Sequence, residues 1–174
     1  MRRIKIFLVA VVLLLALLYL ITLFLPSRVT VSKSTQVNAS RENVATQSRD
    51  FNKWKNWHPL FQNEDISVNI TQNHDTSSAT LVNADRKILS FILLNSSPAD
   101  IEVSLLQHNK VKDMYQFILI PNGAGNTQLT WNINTDLGWN PWRRLAGIFM
   151  DKVKGPQYEA ALQSLKTAAE TMQH

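Results

Sequence analysis

The sequence predicts an α+β domain in which a curved seven-stranded antiparallel sheet closes around a long C-terminal helix, behind one N-terminal transmembrane helix. Three observations predict it. Residues 6–25 form an uncharged apolar run. Seven short segments follow, most of them alternating apolar and polar residues, and the last six are joined by stretches too short for a crossover. A long helical pattern occurs only after the last of these segments.

The chain has 174 residues and no Cys, with 18 Lys+Arg against 13 Asp+Glu. Without Cys, a disulfide framework, a thiolate nucleophile and Cys-based zinc or iron-sulfur sites are excluded. Three of the basic residues, Arg2, Arg3 and Lys5, precede the apolar run, so the remainder carries 15 basic and 13 acidic side chains. That near balance offers no footprint for nucleic acid.

Residues 6–25 read IFLVAVVLLLALLYLITLFL. At 1.5 Å rise per residue such a helix is about 30 Å long, the thickness of a hydrocarbon core. The preceding basic residues place the N-terminus in the cytoplasm and the rest of the chain across the inner membrane. A cleaved signal peptide shares the basic start, but this run is longer than a usual h-region, and Phe24-Leu25-Pro26-Ser27 is not a small-x-small site. Residues 1–27 are therefore read as basic start and anchor, and 28–174 as one extracytoplasmic domain.

Val29, Val31 and Val37 mark one face of a first strand. Asn38 or Ser40 then caps a short helix through about Ser48, and Asp50 a second short turn with Phe51 and Trp54, which Pro59 ends or redirects. Strands are predicted at 66–71, 79–84, 88–94, 101–107, 114–120 and 127–133. The run from Pro121 to Asn126 holds two glycines that a hairpin turn with positive φ requires. Leu145, Ile148, Phe149 and Met150 form an apolar helical face that Gly155 is expected to interrupt. Pro156 then opens a helix whose Tyr158, Ala161, Leu162, Leu165, Ala168, Ala169 and Met172 recur at three and four.

Several of these stretches carry a family resemblance. The first strand is followed by Asn38-Ala39-Ser40 and Val44, then by the segment Phe51-Asn52-Lys53-Trp54-Lys55-Asn56-Trp57-His58-Pro59. Later come Thr130-Trp131, Asp136-Leu137-Gly138, Phe149-Met150-Asp151-Lys152 and Gly155-Pro156, with Leu162, Leu165 and Lys166 behind them. Over nearly all of 28–170 the chain resembles membrane-anchored bacterial members of the SRPBCC superfamily, the START or polyketide-cyclase-like domains of helix-grip fold. The resemblance implies a cavity between sheet and helix. It further implies a lipid, sterol, polyketide or other apolar ligand, with cyclisation or dehydration in a minority of relatives. No catalytic pattern of the family transfers residue by residue.

Among single residues, His58 is the best catalytic candidate, an imidazole held between Trp57 and Pro59. Its structural alternative is a ring satisfied by a backbone carbonyl. His74, His108 and His174 have no neighbour at metal-ligand spacing, so no metal is expected, and no cofactor. Asp100 and Glu102 share one face of a strand, as do Asp113 and Tyr115, and the inward set Ile101, Val103 and Leu105 sends Glu102 outward. No Gly-x-Ser-x-Gly elbow and no phosphate loop occur. Trp54 and Trp57, with Trp139 and Trp142, either rim a cavity mouth, plug the end of the sheet, or meet lipid headgroups beside Arg143 and Arg144.

The expected activity is binding of an apolar small molecule or lipid in an internal cavity. Its expected lining is Trp54, Trp57, His58, Phe91, Tyr115, Phe117, Trp131, Phe149, Tyr158 and Leu162. Two other classes stay open. A cyclase-like enzyme requires an inward ionisable group, and a protein-interaction module requires a filled interior with an apolar patch outside.

Overall fold

The computed structural model describes residues 2–72, 76–85, 88–123 and 125–173. A long apolar helix, α1 (Arg2–Leu23), precedes strand β1 (Arg28–Val37). Three short helices follow, α2 (Arg41–Arg49), α3 (Phe51–Trp54) and α4 (Pro59–Gln62). A meander comes next: β2 (Ile66–Gln72), β3 (Ser77–Asn83), β4 (Ile88–Ser96), β5 (Asp100–Gln107), β6 (Lys110–Pro121) and β7 (Thr127–Asp136). Helices α5 (Pro141–Ile148) and α6 (Met150–Glu170) end the chain. The sheet order is β1-β7-β6-β5-β4-β3-β2 with every pair antiparallel, so the last strand returns beside the first.

Alternation decides which face of this sheet is covered. On β6 the odd positions Asp113, Tyr115, Phe117 and Leu119 are buried, and on β7 Leu129, Trp131, Ile133 and Thr135. The opposite face of β1 and β7 is a polar ladder, with Thr30 donating to Asn134 at 2.6 Å and Ser32 to Asn132 at 2.6 Å. A polar outer face and an apolar inner one fix the register, because a one-residue slip would exchange them. Register shifts at Leu93/Asn95 and Leu105/Leu106 add twist to the central strands.

Turn chemistry joins the strands. His108 and Asn109, with φ of 52° and 60°, form a two-residue connection between β5 and β6. Both residues adopt the left-handed conformation that such tight hairpins need, and β6 begins earlier than the apolar pattern suggests. Gly123 and Gly125 take φ of 75° and 82° in the next hairpin, where positive φ was expected.

Helix α6 corrects the expected interruption at Gly155-Pro156. It runs unbroken from Met150 to Glu170, with Pro156 inside it, and the break falls earlier, at Phe149. Pro156 costs one hydrogen bond to the carbonyl of Lys152, and burial along Ala161, Leu162, Leu165 and Ala169 outweighs that loss. Gly155 is a point of close approach. A Cβ there would lie 2.9 Å from Asp151 Oδ1 and 3.1 Å from Lys33 Nζ. Lys33 of β1 reaches across at this point to Asp151 at 3.1 Å and Glu159 at 3.6 Å. Asp151 chiefly raises its pKa above the usual lysine value through that hydrogen bond. At the far end, the Asn38 N–H donates to Glu170 Oε1 at 2.8 Å, so α6 is pinned to β1 at both ends.

Phe91 on β4 is fully buried in the core, whereas Leu94 on the same strand is 54% exposed. Phe91→Ala is expected to cost about 3–5 kcal/mol of unfolding free energy. Leu94→Ala is expected to change it by no more than about 0.5 kcal/mol. Urea unfolding of both variants checks the assigned inner face.

Candidate functional site

The site is built around the three short helices after β1. Ser40 caps α2 by accepting from the Asn43 N–H at 3.3 Å, and Asp50 caps α3 by accepting from Asn52 at 3.0 Å. Pro59, expected to end or redirect the chain, opens α4 instead, with His58 as its cap. The spacing of Phe51, Trp54, Trp57, His58 and Phe61 puts all five side chains on one inward face, and all are buried. They meet Phe91, Tyr115, Phe117 and Trp131 from the sheet in a continuous aromatic cluster, with Trp131 stacked on Phe117 at 5.3 Å between centroids.

The three buried indoles differ in how their N–H groups are satisfied. Trp54 donates to the carbonyl of Ser48 at 2.9 Å and Trp57 to that of Gln47 at 3.2 Å. These carbonyls belong to the last turn of α2, which has no intrahelical donors for them. The indole N–H of Trp131 is buried and has no hydrogen-bond partner among the described residues. A buried donor left in that state costs about 1–3 kcal/mol.

Trp131 also forms part of the wall of a cavity of about 170 Å³, where β5, β6 and β7 face α4 and α6. His58, Leu105, Asp113, Tyr115 and Tyr158 share that wall, with Lys112, Lys154 and Gln157 at its outer side. Asp113 accepts a 2.5 Å hydrogen bond from Thr135. In the sheet register Asp113 lies opposite Thr135, and Thr135 opposite Val29. Trp131 lies opposite Lys33, and the cavity therefore runs from that row toward the end of the sheet where β1 leaves α1.

Burial sets the protonation states. Desolvation lowers the pKa of His58 from 6.5 to about 3, so its imidazole is neutral through the physiological range. His58 Nδ1 accepts from the Leu60 N–H at 3.3 Å, which leaves the ring proton on Nε2. Burial pushes Tyr158 up to about 12, with the Asp113 charge adding to it, and raises Tyr115 well above the ordinary tyrosine value. Both phenols thus stay neutral donors. A general base works best with a pKa near the operating pH, and a histidine held near 3 is poorly matched to that task.

Of the ten residues expected to line a cavity, the structure brings nine into one interior. His58, Tyr115, Trp131 and Tyr158 contribute to the cavity wall. Trp54, Trp57, Phe91, Phe117 and Leu162 are fully buried core. Phe149 is a correction: it is 60% exposed at the junction of α5 and α6, outside the cavity. Its helical period is real, but that face of α5 points away from the sheet. Nor do the two tryptophan pairs meet, since Trp139 and Trp142 are 76% and 70% exposed. Asp113 was seen to share a face with Tyr115 but was not singled out as a site residue. The odd-numbered inward face of β6 is the signal that finds it. His74 and His174 lie outside the described residues, and His108 is a turn residue.

The state of His58 gives a pH dependence with a definite sign. Its folded pKa is depressed, so the unfolded chain takes up a proton below pH 6.5 that the folded one refuses. The stability that the neutral ring permits is complete above that pH and is lost as pH falls toward 3. This group alone should remove about 3 kcal/mol between about pH 7 and about pH 4. His58→Phe, which cannot take up a proton, should flatten that part of the curve in urea titrations. An unchanged slope would show that the ring is not buried neutral.

Comparison with known proteins follows this geometry. An aromatase/cyclase from a Streptomyces species has 13% identity and a TM-score of 0.61, with 84% of this chain and 96% of that one covered. A Staphylococcus aureus protein of unknown function has 12% identity and a TM-score of 0.64, with 84% and 96% covered. A START superfamily protein from Mycobacterium smegmatis has 18% identity and a TM-score of 0.58, with 82% and 98% covered. These likenesses speak for the fold. No curated protein matches the chain. The profile of one family matches residues 28–170, from the first residue of β1 to the last of α6, and the chain belongs to that family, polyketide cyclase/dehydrase and lipid transport.

Proposed function

We propose that this domain holds a small apolar molecule carrying an oxygen acceptor, beside a membrane in which α1 is anchored. One observation carries the reading: an aromatic-walled cavity whose lining includes a tryptophan with a buried N–H that has no partner among the described residues. Apolar burial supplies the binding energy, about 25 cal/mol per Å² before entropic costs, and a few donors fix orientation. The donors available are Trp131, His58 Nε2, Tyr115 and Tyr158, all neutral.

The volume narrows the ligand. A cavity of about 150 Å³ is known to hold benzene, so 170 Å³ accommodates one ring or a short acyl segment. A larger ligand has to displace side chains, and Tyr158, half-buried on α6, is the least buried of the aromatic wall residues. The membrane part of the proposal rests on α1, whose residues Arg3–Thr22 are long and apolar enough to cross a bilayer. The basic start favours a cytoplasmic N-terminus and an extracytoplasmic domain at the inner membrane.

The presence of Asp113 and His58 in one wall with two phenols favours a second reading, cyclase- or dehydrase-like chemistry on a carbonyl compound held there. The low pKa of His58 weighs against it as the base.

Acetophenone and ethylbenzene, alike in size and differing in the carbonyl acceptor, test the leading reading by calorimetry or ligand-observed NMR. Acetophenone is expected to bind more tightly. Trp131→Phe should remove about 1–2 kcal/mol of that preference, roughly 5- to 30-fold, and leave ethylbenzene nearly unchanged. Equal binding of both probes, or binding of neither, would overturn the assignment of Trp131 as the orienting donor.

A further inference from the structure

Helix α5 has two faces with different surroundings. Gly147 is its buried residue, so close to β1 and β7 that an added Cβ would lie 2.4 Å from Leu137 and 3.2 Å from Val29. At 3.6 residues per turn, the side opposite Gly147 carries Trp142, Leu145 and Phe149. Trp142 and Phe149 are 70% and 60% exposed, and Ile148 beside them is 58% exposed. The core has no use for this stripe, and the cavity does not reach it.

The first helix runs alongside. Trp142 and Leu145, with Pro141, face Leu15, Tyr19 and Thr22 of α1 across an almost wholly apolar cleft of about 180 Å³. Leu15 is eight positions before the end of α1, so the cleft reaches about 12 Å back along that helix. The arrangement is tied by Arg144, which donates to the carbonyls of Thr22 at 3.4 Å and Leu25 at 3.3 Å and to that of Gly138 at 2.9 Å. Its guanidinium thus satisfies open carbonyls at the C-terminal end of α1, where a cation is favoured. It also stands 5.6 Å from the ring centre of the exposed Trp139.

We infer that α5 is an interfacial helix: Trp142, Leu145 and Phe149 lie at the headgroup-acyl boundary of the leaflet from which α1 emerges, and a lipid chain fills the cleft between the two helices. The inference rests on the proposed anchoring of α1. A helix that spans a bilayer carries into the edge of the hydrocarbon whatever packs against its last turns, and Trp142 and Leu145 face α1 from Leu15 to Thr22. An apolar stripe with tryptophan at its edge and arginine nearby suits that boundary.

The cysteine-free chain lends itself to the test, because each introduced thiol is unique. Full-length single-cysteine variants, spin-labelled and placed in phosphatidylcholine-phosphatidylglycerol vesicles, report depth through the ratio of oxygen to nickel-chelate collisions. Ala146→Cys and Phe149→Cys probe the stripe, Leu13→Cys the middle of α1, and Gln163→Cys the exposed side of α6. Expected are oxygen-rich signals at 13, 146 and 149 and a nickel-rich signal at 163. Nickel-rich signals at 146 and 149 with an oxygen-rich signal at 13 would overturn the interfacial position and leave the anchor intact. A nickel-rich signal at 13 would overturn the anchor and this inference together, while the cavity and its ligand would stand on the acetophenone test.

Discussion

Two indole N–H groups organise the interior of this domain. The last turn of α2 ends in carbonyls that no helical donor reaches, and it ends there inside the protein. Trp54 and Trp57 satisfy the carbonyls of Ser48 and Gln47, so one pair of bonds stops a short helix and places two large rings over the sheet. Breaking either bond would leave a buried carbonyl and a buried donor at once. His58 and Phe61 pack directly on the Trp54 ring, at 5.0 and 5.3 Å between centroids.

With those rings fixed, the sheet interior is nearly full, and what remains open is set by what the aromatic cluster leaves uncovered. The remainder lies between Asp113, Tyr115 and Trp131 on the sheet, His58, Pro59 and Leu60 at the start of α4, and Tyr158 and Ala161 on α6. Its polar groups form two sets. Asp113 is engaged by Thr135, while the Trp131 N–H has no protein partner among the described residues. Burial keeps the imidazole and both phenols uncharged, so the wall contains donors more than bases. Such a wall accords with the proposed ligand carrying an oxygen acceptor.

Much of this was legible in the sequence, for reasons that can be traced to particular residues. Period-two alternation on β5, β6 and β7 located the strands and most of the inner face. The Phe51 to Pro59 segment located the aromatic plug. What failed had one cause in common: a local pattern does not say what lies across from it. Gly155-Pro156 reads locally as an interruption, yet Lys33 crossing from β1 and the burial of Leu162 and Leu165 carry the helix through it. Phe149 fits an apolar helical face, and that face is real, but it is turned from the sheet. Asp113 looks like a strand-end carboxyl until the partner Thr135 is known. The apolar N-terminal helix was visible from composition, whereas its contact with α5 depends on Arg144 reaching carbonyls more than a hundred residues away in sequence.

The link between α1 and the sheet is short. Four residues, Phe24 to Ser27, lie between α1 and β1; the Phe24 and Leu25 N–H groups donate back to the carbonyls of Ile21 and Thr22, and the Leu137 N–H donates to the Ser27 carbonyl at 2.8 Å, so most of the link is held. Four residues span at most about 14 Å. With α1 in a bilayer, so short a link holds the domain and its cavity beside the lipid surface and limits its freedom to turn. An apolar compound concentrates in lipid far above its level in water, and a domain held this way equilibrates with the lipid phase. Its occupancy is then governed by the mole fraction of ligand in the membrane, and the same domain cut free of α1 would look like a much weaker binder with no change in its cavity.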